Sequence, residues 1–306
     1  MRKNLILFFL GMIFSGGLTY FINFSNAKLE NLFLAQIIDP LMEMNYVKIE
    51  RVKKPKKPPL ELEARAAFSI KLNPKEKTET VLFSYNENEI LPIASLTKLM
   101  TALIVIENQE SYSLDKKVII SLKAASQEDV PEYGNLKAGE IKTIKELLNL
   151  MLFFSSNDAA YALAEQIDVE NFVSKMNEKA IEIGLENTHF SNPTGLDPAN
   201  LKWSFENKDS FNHSTAKELI LLGKYILEKY PFIFELSNNK SQIELLENQN
   251  FLGTKTGYTT EAGGCLFLIF SDEDENYFLN VILGTKSKEE RFFQMQKLVD
   301  WINGKI

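Results

Sequence analysis

Strand-like sequence lies at both ends of the long globular stretch and helical sequence fills the middle, and this order restricts the fold more than any other feature. Near the front, "AAFSIKLN" and "ETVLFSYN" have the length and residue types of two strands, joined by the turn-rich "PKEKT". Near the end, "NFLGTKT", "GGCLFLIF" and "NYFLNVILG" predict three more, with "SDEDE" as a hairpin turn between the last two. Thr143 with Glu146, Thr215 with Glu218, and Ser287 with Glu290 have the capping-box spacing, which predicts helix starts before "LLNLML", "LILLGKYIL" and "FFQMQKLVDWI". Short connections make neighbouring strands antiparallel. The expected class is α+β: one antiparallel sheet drawn from both chain ends, covered by helices, with a helical subdomain from the middle. A chain of 306 residues with 45% hydrophobic content has ample material for such a core.

The charge balance is acidic, 34 basic residues against 41 acidic, so a nucleic-acid partner has no electrostatic footprint. A single cysteine, Cys265, excludes an intrachain disulfide and a multi-cysteine metal site, and two histidines, His189 and His213, leave little for zinc. No metal and no cofactor is expected. Cys265 lies in the apolar run "GGCLFLIF", where a small buried side chain is the simplest reading.

After Arg2 and Lys3 no charge occurs until Lys28, and "NLILFFLGMIFSGGLTYFINF" is nearly continuous apolar sequence, close to the ~20 residues of a membrane-spanning helix. The leading positive charges hold that end in the cytoplasm and place the rest outside. "SNAK" offers a cleavage-like pattern, but the apolar run exceeds the roughly 7–15 residues of a signal core, which favours an uncleaved anchor over secretion after cleavage. Residues 28–62 read as a stalk, with Pro55, Pro58 and Pro59 among Lys53, Lys54, Lys56 and Lys57. The expected domains are therefore 1–27 anchor, 28–62 stalk and 63–306 catalytic domain, with tethering carried by the N-terminal helix because the chain ends directly after its last predicted helix.

Within the globular part, "LPIASLTKLMTALIVIE" places Ser95 three residues before Lys98 at the start of an apolar helix. Positions i and i+3 share a face, so the amine reaches the hydroxyl, and free N–H groups at a helix start favour a developing anion. The alternative is a helix cap beside an exposed lysine, and S-x-x-K alone decides nothing because it occurs at Ser25, Ser95, Ser113, Ser214 and Ser237. S-x-N is equally common, at Ser84, Ser155, Ser210 and Ser237, whereas K-T-G occurs once, at Lys255–Thr256–Gly257. Ser95, Ser155 and Lys255 follow in order, about 60 and 100 residues apart, and S-x-x-K, S-x-N and K-T-G in that order mark β-lactamases and penicillin-binding proteins.

From about residue 64 to 304 the chain resembles the serine-type D-alanyl-D-alanine carboxypeptidases, the low-molecular-mass penicillin-binding proteins. "ASLTKLMTALIVIE", "SSNDAAYALAE", "MNEKAIEIGLENTHFSNPTGLD", "HSTAKELILLGKYIL" and "GTKTGYTTEAGGCLFL" resemble that family's segments in order. The resemblance implies a β-lactamase/DD-peptidase-like fold with its site between sheet and helical lobe. It also implies removal of the terminal D-alanine from peptidoglycan stem pentapeptides, with β-lactams as inhibitors and peptidoglycan stem peptide as partner. Ser95 would be the nucleophile and Lys98, its amine neutralised by burial and by Lys255, the base. Ser155 would relay a proton and Asn157 would hold substrate or Lys98; helix capping is the alternative for both, and the resemblance ranks catalysis above it. Lys255, Thr256 and Gly257 would meet the substrate carboxylate, and Arg291 resembles a family arginine with the same task. The N–H groups of Ser95 and, by the resemblance, Tyr258 would form the oxyanion hole.

Two other readings remain: a β-lactamase-like hydrolase, and a catalytically weak module that binds penicillin or peptidoglycan. Ser156 in the middle of S-x-N, where class A β-lactamases have aspartate, and the lack of a segment resembling their deacylating glutamate loop argue against the first. A Ser-His-Asp mechanism is disfavoured because His189 lies in a loop-like stretch and His213 just before a helix cap.

Overall fold

The computed structural model describes residues 48–50, 59–108, 110–127, 135–201, 210–237 and 250–305. The early hairpin forms as β2 (Ala66–Asn73) and β3 (Thr78–Tyr85), antiparallel, with an irregularity between Ser69 and Ile70. The late runs form β8 (Asn250–Thr259), β9 (Gly263–Ser271) and β10 (Tyr277–Thr285), each antiparallel to the next. β10 also pairs with β2, Leu283 opposite Ala66, so the two chain ends merge into one sheet. A sixth strand, β1 (Lys48–Glu50), runs parallel to β3 from within the stretch read as a stalk, giving the order β1-β3-β2-β10-β9-β8.

Alternation along β9 explains its nearly unbroken apolar sequence. Cys265, Phe267 and Ile269 enter the main core shared with the helices, while Leu266, Leu268 and Phe270 enter a second core on the opposite face. Met295, Leu298 and Val299 cover that second face from the C-terminal helix, and Leu60 and Leu62 pack against it. Burying each such Leu or Phe is worth about 1.5–3 kcal/mol, and two covered faces need apolar residues at successive positions.

The helices are α1 (Thr97–Glu107), α2 (Ile144–Phe153), α3 (Asn157–Ala164), α4 (Val169–Glu182), α5 (Ala216–Lys229), the short α6 (Phe232–Leu236) and α7 (Glu290–Ile302). Every residue of α1 from Thr97 to Ile106 is buried, which makes it the central helix of the helical lobe. The capping box before α2 is complete: the Glu146 N–H donates to Thr143 Oγ1 at 3.2 Å and the Thr143 N–H to Glu146 Oε2 at 2.7 Å. Only half of it forms before α5, because the Glu218 carboxylate instead accepts from Asn187 and Thr188. At α7 the Ser287 hydroxyl accepts from the N–H groups of Glu289 and Glu290, while the Glu290 carboxylate turns to Gln294.

Two small antiparallel ribbons complete the framework: β4 (Leu91–Pro92) with β7 (His213–Ser214), and β5 (Lys117–Ile119) with β6 (Ile141–Thr143). The first leads directly into the segment that carries Ser95. Among the described residues no helix is long and apolar enough to cross a membrane, and the proposed anchor, residues 1–27, lies outside them.

Candidate active site

Ser95 sits in a 3₁₀ turn, Ala94–Leu96, immediately before α1. The turn is sharp: Ala94 has a φ of +46°, a conformation costing of order 1–3 kcal/mol for a non-glycine residue unless its surroundings hold it. The Thr97 hydroxyl does so, donating to the Ala94 carbonyl at 2.7 Å. One turn on, Lys98 is fully buried, with Nζ 2.9 Å from Ser95 Oγ. The same Nζ donates to Asn157 Oδ1 at 2.7 Å and to the Thr194 carbonyl at 2.5 Å.

The polar break between α2 and α3 separates the tasks of its two serines. Ser156 is the N-cap, accepting from the Ala159 N–H at 3.2 Å. Ser155 is held at a φ of +64° and its hydroxyl accepts from Lys255 Nζ at 2.8 Å. Capping therefore belongs to Ser156, and Asn157, the first residue of α3, turns its side chain to Lys98.

The third element is β8, the sheet edge facing the helical lobe. Lys255 is fully buried and also donates to the Thr256 carbonyl at 3.0 Å. Burial, reinforced by the positive charges of Lys98 and Arg291, pushes its amine well below the usual lysine value of 10.5. The sequence reading expected such a depression at Lys98. A Cβ on Gly257 would lie 3.0 Å from the Ser95 backbone nitrogen and 3.1 Å from Ala94 Cβ, so glycine lets the strand press against the nucleophile's own backbone. Tyr258 follows with its ring half exposed, and Thr256 is partly buried within the strand. Arg291, at the start of α7, donates from Nη1 to the Gly257 carbonyl at 2.6 Å and lies over the Phe292 ring. Ser95, Lys98, Ser155, Asn157, Lys255, Gly257 and Arg291 thus converge where α1, the α2–α3 break, β8 and α7 meet, with Thr256 and Tyr258 flanking Gly257 on the strand.

Sequence reasoning read the stretch around His189 as a loop but did not identify that it supplies the Thr194 carbonyl to Lys98. Asn192 Oδ1 accepts from the Thr194 N–H, the Thr194 hydroxyl and the Gly195 N–H. Gly195 has a φ of +85°, and a Cβ there would fall 2.1 Å from the Ala94 carbonyl oxygen. The turn residues in "SNPTGLD" signal such a loop, but a backbone carbonyl has no side-chain signature. The histidines stand apart: they bridge one another as neighbouring backbone segments, His213 Nδ1 lies 3.0 Å from the Phe211 carbonyl, and their rings are 5.8 Å apart. Cys265 is fully buried, and burial raises its thiol to about 11, which marks it as core.

Residues 51–287 match the profile of the S11 peptidase family, described as D-alanyl-D-alanine carboxypeptidase. The chain is 34% identical over 261 residues to the D-alanyl-D-alanine carboxypeptidase DacF of Bacillus subtilis, covering 78% of this chain and 62% of DacF. It therefore spans less than two thirds of that relative's length. It is also 30% identical to a D-alanyl-D-alanine endopeptidase of Pseudomonas aeruginosa, covering 81% of each. Among solved structures it is similar to penicillin-binding protein D2 of Listeria monocytogenes in its ampicillin-bound form, with a TM-score of 0.65, 27% identity, and coverage of 81% of this chain and 100% of that one. With the family match spanning residues 51–287, most of the chain, this protein belongs to the S11 family of D-alanyl-D-alanine carboxypeptidases.

Proposed function

We propose that the protein is a serine DD-carboxypeptidase that removes the terminal D-alanine from peptidoglycan stem pentapeptides through an acyl-enzyme on Ser95. The observation that carries this reading is the buried Lys98 amine, 2.9 Å from Ser95 Oγ and oriented by two further oxygens. Lys98 takes the hydroxyl proton as Ser95 Oγ bonds to the carbonyl carbon of the penultimate D-alanine. The N–H groups of Ser95 and Tyr258 receive the oxyanion, an assignment supported by the close approach of Gly257 to the Ser95 nitrogen. When the C–N bond breaks, Ser155, hydrogen-bonded to Lys255, passes a proton to the departing amine. Water then hydrolyses the ester and restores Ser95. Lys255, Thr256 and Arg291 bind the substrate carboxylate, and Asn157 binds both Lys98 and the substrate amide.

Endopeptidase action at the same serine is the second reading. It is favoured by the relatives named D-alanyl-D-alanine endopeptidase, of which the chain covers 79% and 81%, more than its 62% of DacF. Incubation with a pentapeptide muropeptide and with a cross-linked dimer separates the two: release of free D-alanine is expected, and cleavage of the dimer alone favours the endopeptidase. Intact-mass analysis should place one penicillin on Ser95. A label that survives Ser95→Ala, or that maps to Ser155, overturns the assignment, and rapid penicillin turnover favours a β-lactamase. We place the catalytic domain outside the cytoplasmic membrane, tethered by residues 1–27. Its digestion by protease added to the outer face of intact cells stripped of wall is the expected result, and protection overturns the orientation.

A further inference from the structure

We infer that Asn212 and Asn192 form a buried amide clamp that sets the orientation of the Lys98 base, a role that rests on the acyl-enzyme reading above. An amine acting as a base has two N–H donors and one lone pair. Asn157 Oδ1 and the Thr194 carbonyl take the two donors, since Lys98 Nζ lies 2.7 Å and 2.5 Å from them. The lone pair is thereby left for the Ser95 hydroxyl at 2.9 Å. Where the Thr194 carbonyl stands thus decides whether Lys98 accepts the Ser95 proton or points elsewhere.

Asn192 and Asn212 fix that carbonyl. Both side chains are buried, at 0% and 3% exposure. Asn192 gathers three donors from Thr194 and Gly195 on Oδ1, and its Nδ2 donates to the Leu196 carbonyl at 3.1 Å, so the loop folds around one amide. Asn212 ties this loop to the nucleophile's segment. Its Oδ1 accepts from the N–H groups of Ser191 at 2.7 Å and Asn192 at 3.1 Å. Its Nδ2 donates to the Asn192 carbonyl at 2.8 Å and to Thr97 Oγ1 at 2.9 Å, next to Lys98 in the chain. Its backbone carbonyl accepts from the Ile93 N–H at 3.1 Å, two residues before Ser95. The Thr101 hydroxyl closes the ring, donating to the Pro193 carbonyl at 2.8 Å one turn after Lys98. The loop, the 3₁₀ turn and the first turn of α1 therefore move as one body. An amide serves this geometry because it offers two acceptor and two donor directions in a plane, which neither aspartate nor serine does.

A clamp of this kind acts on proton transfer and not on ligand capture. For Asn212→Asp and Asn192→Ala, the rate constant for acylation of Ser95 by a fluorescent penicillin should fall roughly 10- to 100-fold, the range expected when a catalytic group is displaced by about 1 Å. The dissociation constant of the preceding complex should stay within about twofold, and the pH profile of acylation should shift by at least half a unit, because Lys98 has lost a fixed acceptor. A purely structural role lowers the rate only with the folded fraction and leaves the pH profile unmoved. If the asparagine variants do not fold, Thr101→Val supplies the same test from the other end: it removes the tie from α1 to the Pro193 carbonyl while keeping the side-chain volume and leaving the bond from Thr97 to Ala94 in place. A several-fold loss of acylation rate with a shifted profile supports the clamp; an unchanged rate and profile in every variant that folds overturns it. Failure of the wild-type protein to acquire penicillin on Ser95 instead removes the reading on which the clamp rests.

Discussion

The two buried lysines of the site lie on opposite walls and are held in different ways. Lys98, on the helical wall, is surrounded by oxygens from three separate chain segments: Ser95, Asn157 and Thr194. Lys255, on the sheet wall, has a hydroxyl and its own neighbour's carbonyl as partners and two cations nearby that depress it further. A lysine surrounded by acceptors is positioned to exchange a proton along a chosen direction. A lysine whose charge is opposed by burial and by other cations sits in a site made for an anion, since an arriving carboxylate relieves that opposition. On the proposed mechanism, the difference would put chemistry on the helical wall and substrate capture on the sheet wall.

The sharpest test of this division is Lys98→Ala. Acylation of Ser95 should fall by ~10²–10⁴-fold, the usual worth of general-base catalysis, with little change in the affinity of the initial penicillin complex. Stopped-flow acylation kinetics give both numbers. A loss that appears mainly in affinity breaks the comparison, because Lys98 would then be a binding group like Lys255.

Arg291 tests the sheet wall. A planar guanidinium suits a carboxylate better than an ammonium does, and charged hydrogen bonds are worth about 1.5–3 kcal/mol, so Arg291→Ala should slow D-alanine release by roughly 10-fold or more. Penicillin acylation should suffer less, because Lys255 and Thr256 still meet the drug's carboxylate. Equal losses with both ligands carry a different meaning. Arg291 already donates to the Gly257 carbonyl, which shares a peptide unit with the Tyr258 N–H, so it would then act through the oxyanion hole.

Lys255 has a consequence for stability. Its folded-state pKa lies below the ordinary 10.5, so as pH falls beneath 10.5 the unfolded chain takes up a proton that the folded chain refuses, and folding is progressively disfavoured until the folded value is reached. Lys255→Met removes that penalty. The variant should unfold at a higher temperature than the wild type at pH 7, by about 2–4 °C for each 1 kcal/mol relieved, while binding penicillin poorly. Thermal melts from pH 7 to 10 check the sign: the gap should narrow as pH rises. A constant gap places the effect in packing and removes the electrostatic contrast between the lysines.

The sheet wall was also the more legible in the sequence. K-T-G lies on one strand whose register against β9 brings Lys255, Thr256 and Gly257 to the site together, and the strand's apolar partners announce themselves by their length and residue types. The complete capping box at Thr143 and Glu146 likewise marks the start of α2 from two residues. On the helical wall, S-x-x-K could be read from helix periodicity, but the oxygen that completes the lysine's surroundings is the Thr194 carbonyl, delivered by a loop whose amides, Asn192 and Asn212, are 20 residues apart. Tertiary hydrogen bonds of that kind leave no period. The depression of Lys255 was not read from the sequence for a related reason: sequence shows that two lysines can meet, but only the packed structure shows that Lys255 is fully buried beside Lys98 and Arg291. Strands of two or three residues, such as β4 and β5, are too short to have a pattern, and β1 joins the sheet from a stretch whose lysines and prolines read as a spacer.

The smallest expected effect belongs to the histidines, and it guards the whole comparison. If the lysines divide the work as described, no imidazole is needed, and His189→Gln and His213→Gln should each acylate within about twofold of the wild type at pH 7. His189 is expected to affect stability instead. Burial, and then the neighbouring charge of His213, lowers its pKa below the ordinary 6.5. As pH falls through 6.5 the unfolded chain gains a proton that the folded His189 resists, so wild-type stability should decline between about pH 6.5 and 5. The decline should be shallower in His189→Gln, which has nothing to protonate there. Denaturant midpoints across that range measure it, with acylation followed on the same samples. His213 lies on the ribbon that leads into Ser95, opposite Pro92, and His189 bridges to it, so a change in acylation that follows the stability loss reports local loosening of that ribbon. A large loss of acylation in a fully folded histidine variant at pH 7 is the contrary result. It would make imidazole the base, return Lys98 to a structural role, and leave the two lysines with no division of labour to explain.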